Sequence, residues 1–359
     1  MSTPPPLRVG LVGYGPAGSF FHAPLIAATP GLVLDTIVTS SPERRAQAAA
    51  EHPGVRFADR AEELWARAGE LDLVVLASPN RTHVPLATEA LEAGLPVVVD
   101  KPLAATAAEA RTLAALAEAR GLLLGVFQNR RWDGDFRTVR DLIERGALGE
   151  VRRFESRFER WRPQLKGGWR ESGDPADIGG LLYDLGAHLV DQALALFGPA
   201  ALVYAETAAV RPGASADDDA FIALTHASGV RSHLWMSAVT PLLGPRFRVL
   251  GSTAGYVVHG LDPQEAALRA GRRPGDGTPW GEAPPADRGT AGTEGSAGSD
   301  GTTAPVPTLP GDYPAYYAAV AAALRTGAAA PVTAHDAAAT LDVIEAAHRS
   351  AATGETVRL

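Results

Sequence analysis

The chain has 359 residues, of which 46% are hydrophobic, and it carries a formal net charge of -8 and no cysteine. This length predicts about two domains, and the negative charge argues against nucleic acid as a partner, because phosphate backbones bind basic surfaces. Without cysteine, the chain has no disulfides, thiolate nucleophiles, zinc ribbons or iron–sulfur clusters. The first residues lack a basic leader and no run reaches the ~18 apolar residues of a membrane span, so we expect a cytoplasmic protein without membrane contact.

Residues 1–127 alternate short apolar strands with alanine-rich helical runs. One helix is predicted over 83–93 and another over 106–120, where Thr106 and Glu109 form a capping box. Strands that alternate with helices indicate a parallel, doubly wound sheet covered on both faces, that is, a Rossmann-type α/β domain. The predicted strands are 7–12, 32–39, 72–77, 96–100 and 122–127.

A glycine-rich motif follows the first of these strands. Gly13, Gly15 and Gly18 form G-x-G-x-x-G within GYGPAG, and the run after it has a helical pattern. Glycines there permit a tight turn and let backbone amides and the helix dipole meet a pyrophosphate. The motif therefore predicts a dinucleotide site that also includes Pro16 and Ala17, and an ordinary glycine turn is the alternative.

The end of the second strand bears on which dinucleotide binds. Enzymes that use NAD commonly place an acid there for the ribose hydroxyls, but Asp35 lies too early, inside the strand. Ser40 and Arg44 instead suit a 2′-phosphate, which makes NADP the preferred cofactor over NAD. The alternative is that Arg44 and Arg45 belong to a solvated helix face.

The strand 96–100 ends in Asp100-Lys101-Pro102. Proline disfavours a helical conformation at the residue before it, so Lys101 is held in an extended backbone geometry where the strand ends. The carboxyl ends of parallel strands form the crevice in which doubly wound folds bind ligands. Lys101 is therefore a candidate site residue.

The pattern changes after about residue 128, where strands follow one another without intervening helices. This grouping predicts a second, α+β domain over 128–359 with an open, largely antiparallel sheet. Within it, residues 271–311 are rich in Gly, Pro, Ser, Thr and Ala, and they predict a flexible surface insertion. The predicted strands are 151–158, 202–210, 220–225, 230–237, 247–250 and 255–259, and the predicted helices are 133–145, 181–197, 313–325 and 334–352.

The helix over 181–197 combines an apolar stripe with charged residues on another face. Asp184 and His188 are four residues apart and are therefore neighbours on the helix, with Asp191 one turn beyond. A carboxylate beside an imidazole stabilises the protonated ring, as a general base requires. An exposed ion pair is the alternative. The stripe consists of Leu182, Leu185, Leu189, Ala193 and Leu196.

Three elements together resemble the Gfo/Idh/MocA oxidoreductase family: the loop 13–18, Asp100-Lys101-Pro102 where Glu-Lys-Pro is common, and the helix with Tyr183-Asp184 and His188. The resemblance covers nearly the whole chain outside 271–311. The stretches GYGPAGSFFHAPLI, FQNRRWDGDF and YDLGAHLVDQALALFG are most similar to its NADP-linked scyllo-inositol dehydrogenase branch. The family implies a Rossmann domain followed by an α/β domain whose open sheet commonly mediates homodimers or homotetramers.

The resemblance also implies a catalytic group of Lys101, Asp184 and His188. His188 would take the hydroxyl proton of a secondary alcohol as hydride leaves for the nicotinamide, and Lys101 would stabilise the charge on the same oxygen. Asp184 would orient His188. Further cofactor contacts are expected from Ser78, Pro79, Asn80 and His83. A polyol pocket is expected to involve Asn129, Arg131, Arg162 and Trp169.

Structural roles are the alternative for several of these residues: a helix cap for His83, and interdomain hydrogen bonds or packed aromatic rings for the pocket residues. No metal is expected, because the nine histidines show no paired ligand spacing. Our first hypothesis is an NAD(P)-dependent oxidoreductase for a cyclic polyol or sugar. The alternatives are a non-catalytic cofactor-binding regulator and a glycosidase-like enzyme with transient redox chemistry.

Overall fold

The computed structural model describes residues 4–284, 287–294 and 301–359. This described chain divides into two compact units. The first extends to Asn129 and also includes Gln264–Trp280 and Asp312–Ala338. The second comprises Arg130–Pro263, Gly281–Gly311 and Ala339–Leu359. The domain boundary that the sequence suggests between 127 and 128 stays a prediction.

The first unit is built on a parallel sheet, the first sheet. Its strands are β1 (Leu7–Val12), β2 (Leu32–Val38), β3 (Arg56–Ala58), β4 (Leu73–Leu76), β5 (Val97–Asp100) and β6 (Leu124–Phe127). Over the described residues their order is β3-β2-β1-β4-β5-β6. All of β4 and the three valines of β5 are buried, because helices cover both faces of such a sheet. The expected doubly wound α/β fold is thereby confirmed.

Helices connect these strands. They are α1 (Ala23–Ala28), which continues a π-helical turn over Gly18–His22, α2 (Pro42–Glu51), α3 (Glu62–Trp65), α4 (His83–Glu92) and α5 (Ala107–Ala119). The capping box expected at α5 is present: the Glu109 amide donates to Thr106 Oγ1 at 3.2 Å, and the Thr106 amide donates to Glu109 Oε2 at 3.0 Å.

The remaining helices are α6 (Gly134–Glu144), α7 (Ala187–Phe197), α8 (Gln264–Arg269), α9 (Pro314–Thr326) and α10 (Ala334–Thr353). Segments 264–280 and 312–338 belong to the same unit as the first sheet. Over the ranges that the structure describes, no helix is both long enough and apolar enough to cross a membrane.

The second unit contains the second sheet, a mixed sheet. Its strands are β7 (Val151–Glu159), β8 (Ala200–Ala208), β9 (Asp219–His226), β10 (Arg231–Ser237), β11 (Phe247–Gly251), β12 (Gly255–Val258), β13 (Gly289–Thr293), β14 (Thr302–Val306) and β15 (Val357–Arg358). Among the described residues the order is β14-β13-β12-β11-β7-β10-β9-β8-β15, and only β7 and β10 pair in parallel. The largely antiparallel sheet that we expected is confirmed. Burial alternates along β9, because one face packs on a core and the other does not.

The structure differs from expectation within 271–311. Strands β13 and β14 pair antiparallel at one end of the second sheet, where a flexible insertion was predicted. Their residues are mostly Gly, Thr and Ala, which form a ladder through backbone hydrogen bonds without offering the apolar alternation that signals a strand. Residues 285–286 and 295–300 of this segment lie outside the described residues.

Candidate active site

The glycine-rich loop is held by close backbone packing after β1. Gly13 has a φ of +97°, and a Cβ at this position would lie 2.7 Å from the Ala77 carbonyl oxygen. A Cβ on Gly18 would lie 2.1 Å from the Gly13 carbonyl oxygen. Only glycine fits at both positions. The resulting loop is close-packed and leads into a helical turn, an arrangement that fits a pyrophosphate.

The acid inside β2 is fully engaged elsewhere. Asp35 accepts hydrogen bonds from the guanidinium groups of Arg8 at 2.8 Å and Arg56 at 2.5 Å. Although burial alone would raise the pKa of Asp35, these bonds hold that pKa below its ordinary value. Asp35 therefore serves structure rather than the ribose hydroxyls.

Arg44 and Arg45 have different surroundings at the start of α2. Arg45 donates to Asp59 at 2.6 Å and its guanidinium lies over the Phe57 ring, so it belongs to the helix surface. Arg44 instead reaches the glycine loop, since a Cβ built on Gly15 would lie 3.9 Å from its guanidinium nitrogen. Of these two arginines, Arg44 is the one that lies near the glycine loop. Ser40 is exposed just before this helix.

Three loops meet at one edge of the first sheet. Because β1, β4 and β5 are adjacent and parallel, their carboxyl ends lie side by side. These ends lead into the glycine loop, into Ser78-Pro79-Asn80 and into Lys101. The Ser78 loop turns tightly, as Thr82 Oγ1 donates to the Pro79 carbonyl at 2.7 Å. This edge of the first unit thus brings together the glycine loop, the Ser78-Pro79-Asn80 loop and Lys101.

His83 is placed differently from the cofactor contact that we expected. Its side chain is buried, with Nδ1 at 2.8 Å from the Pro102 carbonyl oxygen and Nε2 at 3.0 Å from the Ser78 carbonyl oxygen. Both ring nitrogens thus face backbone oxygens inside the protein. The geometry favours a role in holding the two loops over direct contact with a cofactor.

The second unit presents Asp184 and His188 on one helical stretch. Leu182–Gly186 is a π-helical turn that continues into α7, so the expected uninterrupted α-helix is wrong there. Such turns are frequent at functional sites. His188 is buried at 5% exposure, and Asp184 is partly exposed with Arg170 Nε 3.8 Å from its Oδ1. The Arg170 guanidinium also stacks over the Trp169 ring at 4.1 Å, so Trp169 belongs to this group.

The other predicted pocket residues are used in several ways. Arg131 donates two hydrogen bonds to Asp191 at 2.8 and 2.7 Å, which ties it to α7 one turn beyond His188. Asn129 is buried in the first unit. Arg162 is exposed, and its backbone amide donates to the Ala238 carbonyl oxygen.

Asp217 is a residue of this region that the sequence did not single out for a role. Its Oδ2 accepts the Leu182 amide at 2.7 Å, and its carbonyl accepts the Leu181 amide at 2.9 Å. Gly180 must be glycine here, because a Cβ would lie 2.0 Å from Asp217 Oδ1. Burial raises the pKa of Asp217 to about 6. The carboxylate thus caps the turn that carries Asp184.

Lys101 belongs to the first unit, and Asp184 and His188 belong to the second. That these three side chains act on one substrate stays a prediction. Each unit supplies groups suited to proton transfer. The first has the Lys101 ammonium group at the carboxyl-terminal edge of the first sheet, and the second has the His188 imidazole and the Asp184 carboxylate near the start of α7.

Comparisons with known proteins bear on this arrangement. Residues 7–128 match the oxidoreductase family, NAD-binding Rossmann fold, of Gfo/Idh/MocA proteins, and residues 140–359 match the C-terminal alpha/beta domain of the same family. The uncharacterized oxidoreductase YdgJ of Escherichia coli is 42% identical over 96% of both chains. The scyllo-inositol 2-dehydrogenase (NADP(+)) IolW of Bacillus subtilis is 36% identical over 98% of this chain and 96% of its own length. A solved structure of yvaA from Bacillus subtilis covers 100% of both chains with a TM-score of 0.93 and 35% identity.

Proposed function

The chain belongs to the Gfo/Idh/MocA oxidoreductase family, and from that premise we propose that it is an NADP-dependent dehydrogenase that interconverts a secondary alcohol and a ketone on a cyclic polyol of the inositol type. It has a Rossmann domain for a nicotinamide cofactor and takes a small-molecule substrate. The observation that carries the proposal is the shared edge of β1, β4 and β5, where the glycine loop, Ser78-Pro79-Asn80 and Lys101 lie side by side.

NADP is the proposed cofactor because of what stands at the end of β2. Asp35 is held by two arginines and is not available to the ribose. Arg44 supplies a guanidinium near the glycine loop, and Ser40 supplies an exposed hydroxyl just after β2, a donor set that suits a 2′-phosphate. The similarity to an NADP(+)-dependent relative supports the same choice.

In the proposed reaction the side chains handle the proton and the charge on the substrate oxygen. When bound, the nicotinamide accepts a hydride from the alcohol carbon or returns it to the ketone. His188 takes the hydroxyl proton on a ring nitrogen, and the buried position of the ring excludes bulk water. Lys101 donates a hydrogen bond to the same oxygen and stabilises its negative charge.

Asp184 supports His188 by stabilising the protonated imidazole. Arg170 Nε lies 3.8 Å from Asp184 Oδ1 at the same site. Trp169 and Arg131 are proposed to contact the polyol, since an aromatic face and a guanidinium both suit a hydroxylated ring. Arg162 and Asn129 are also proposed to line this pocket.

We also propose that the protein forms a homodimer or homotetramer through the open face of the second sheet. Trp235 on that face lies under the Arg157 guanidinium at 3.9 Å and beside the Phe221 ring at 5.1 Å. Aromatic residues and arginine are enriched in protein interfaces. Light scattering should show a mass above that of one chain, and Trp235→Asp should reduce it. The cytoplasmic location expected from the sequence stays a prediction.

An activity panel tests the proposed reaction. Purified protein is mixed with NADPH and keto-inositols, or with NADP and inositols and sugars, and absorbance at the reduced-nicotinamide band is followed. Turnover on a cyclic polyol supports the proposal. Cofactor binding without turnover supports the regulator, and release of a leaving group without net change in NADPH supports glycosidase-like chemistry.

A further inference from the structure

His83 joins two loops of the first unit through one ring. It is the first residue of α4 and its side chain is 1% exposed. Nδ1 lies 2.8 Å from the carbonyl oxygen of Pro102, which directly follows Lys101. Nε2 lies 3.0 Å from the carbonyl oxygen of Ser78, the first residue of the loop after β4. One imidazole therefore spans the loop of Lys101 and the loop expected beside the nicotinamide ribose.

The two contacts need more protons than a neutral ring has. Both partners are carbonyl oxygens and accept hydrogen bonds, whereas a neutral imidazole has a single N–H. The neutral ring can satisfy only one of them, and the imidazolium satisfies both. The second contact is therefore linked to the uptake of a proton.

Burial and the neighbouring charged groups have opposing effects on the pKa of His83. Asp100 on β5 and the ring of His22 face it, and Lys101 follows Asp100 in the chain. Burial lowers the pKa of His83, against the attraction of Asp100, so the ring is neutral near pH 7. His22 bonds Tyr317 through Nδ1 at 2.5 Å, and its Nε2 has no hydrogen-bond partner among the described residues, 3.8 Å from Asp100 Oδ1. Asp100 thus has imidazoles on more than one side.

We propose that His83 is a positioning residue whose Nδ1–H holds the loop of Lys101 at neutral pH and whose Nε2–H engages the Ser78 loop only after a second proton binds. The shorter of the two contacts carries the single proton of the neutral ring. This inference rests on the proposed function, because it assigns Lys101 to the reaction and the Ser78 loop to the cofactor. Loss of the first bond frees the Pro102 carbonyl and lets Lys101 move away from the substrate oxygen.

Two amide variants separate the contacts. In His83→Asn the amide nitrogen takes the place of Nδ1 and keeps a donor for Pro102, whereas in His83→Gln it takes the place of Nε2 and keeps a donor for Ser78. At pH 7.5, we expect His83→Asn to keep kcat within about twofold and His83→Gln to lower kcat about tenfold, the effect of one lost buried hydrogen bond. NADPH affinity, measured by fluorescence, should change less than about twofold in both at this pH.

The position of the proton is measured without any turnover. Cofactor-free protein labelled with 15N-histidine is studied by NMR, and the resonance that His83→Asn removes belongs to His83. We expect the Nδ1–H tautomer at neutral pH and two protonated ring nitrogens on acidification. An Nε2–H tautomer at neutral pH overturns the proposal, and so does an equal loss of kcat in both variants. Thermal unfolding of each variant shows whether it is folded.

The experiments distinguish a failure of the His83 inference from a failure of the proposed function. If the wild-type protein turns over no substrate, the proposed reaction is refuted while the tautomer measured by NMR still decides the role of the His83 proton. If the wild-type protein is active and both variants retain full kcat, the reaction stands and the positioning role of His83 is refuted.

Discussion

Replacing Arg44 with alanine should change the cofactor preference. Arg44 reaches toward Gly15, and the acid of β2 that would bind a ribose diol is held by Arg8 and Arg56. The 2′-phosphate distinguishes NADPH from NADH. Arg44→Ala should therefore weaken the binding of NADPH and leave the binding of NADH nearly unchanged.

The size of the effect follows from the exposure of Arg44. A hydrogen bond to a charged group contributes about 1.5–3 kcal/mol, and about 1.4 kcal/mol corresponds to a tenfold change in Kd. Arg44 is exposed on α2, so solvent screening places the effect at the lower end. We expect NADPH affinity to fall about tenfold and NADH affinity to change by less than about twofold.

Fluorescence titration of both cofactors measures this, and Arg45→Ala is the matched control. Arg45 is the next residue on the same helix, but its guanidinium is paired with Asp59 at 2.6 Å. Its removal should leave the ratio of the two dissociation constants unchanged. An equal loss of affinity for NADPH and NADH in Arg44→Ala, or a larger change of the ratio in Arg45→Ala, would show that Arg44 does not bind the 2′-phosphate.

Further predictions concern the glycine loop, the capping of the π-helical turn Leu182–Gly186 by Asp217, and a buried ion pair. Gly18→Ala should lower Tm, because its Cβ would lie 2.1 Å from a carbonyl oxygen. Gly15→Ala should leave Tm unchanged and weaken only the binding of the cofactor, as measured by titration. Since the pKa of Asp217 is raised to about 6, its ionisation costs stability as pH rises from about 4 to about 6. Asp217→Asn should thus gain up to about 3 kcal/mol over the wild type at pH 7 and nothing at pH 4, by urea unfolding. Arg131→Met should cost about 1.5–3 kcal/mol in the same assay by removing the two guanidinium hydrogen bonds that the buried Asp191 carboxylate accepts, and an unchanged free energy of unfolding would contradict this.

Local patterns predicted five of the six strands of the first sheet among the described residues, since those strands are mainly apolar, and the capping box at Thr106 acts over three residues. The strand β3 (Arg56–Ala58) was not predicted, because three residues with an arginine among them give no apolar run. The π-helical turn at 182–186 was not predictable, because the change from α-helical to π-helical hydrogen bonding does not alter the spacing of the apolar residues in the sequence. The roles of Asp217 and His83 also required the structure. Both depend on backbone groups distant in the sequence: Asp217 caps a turn 35 residues away, and His83 meets Pro102 19 residues later.

The domain that binds the cofactor was easier to predict than the partners of its charged residues. The sequence favoured Ser40 and Arg44 for a 2′-phosphate, with a solvated helix face for Arg44 and Arg45 as the alternative. In the structure Arg44 lies near Gly15 and Arg45 pairs with Asp59. The pairing depends on how β3 lies beside β2. Long-range register of this kind has no signature in a single sequence.

Following NADPH consumption with a keto-inositol for the wild type and His188→Ala tests whether this chain oxidises or reduces a cyclic polyol with NADP through His188. We expect turnover in the wild type and a loss of at least about a hundredfold in the variant, the contribution of a general acid–base group, with NADPH binding unchanged. Wild-type turnover in His188→Ala, or tight NADPH binding by the wild type without turnover on any polyol, would contradict it.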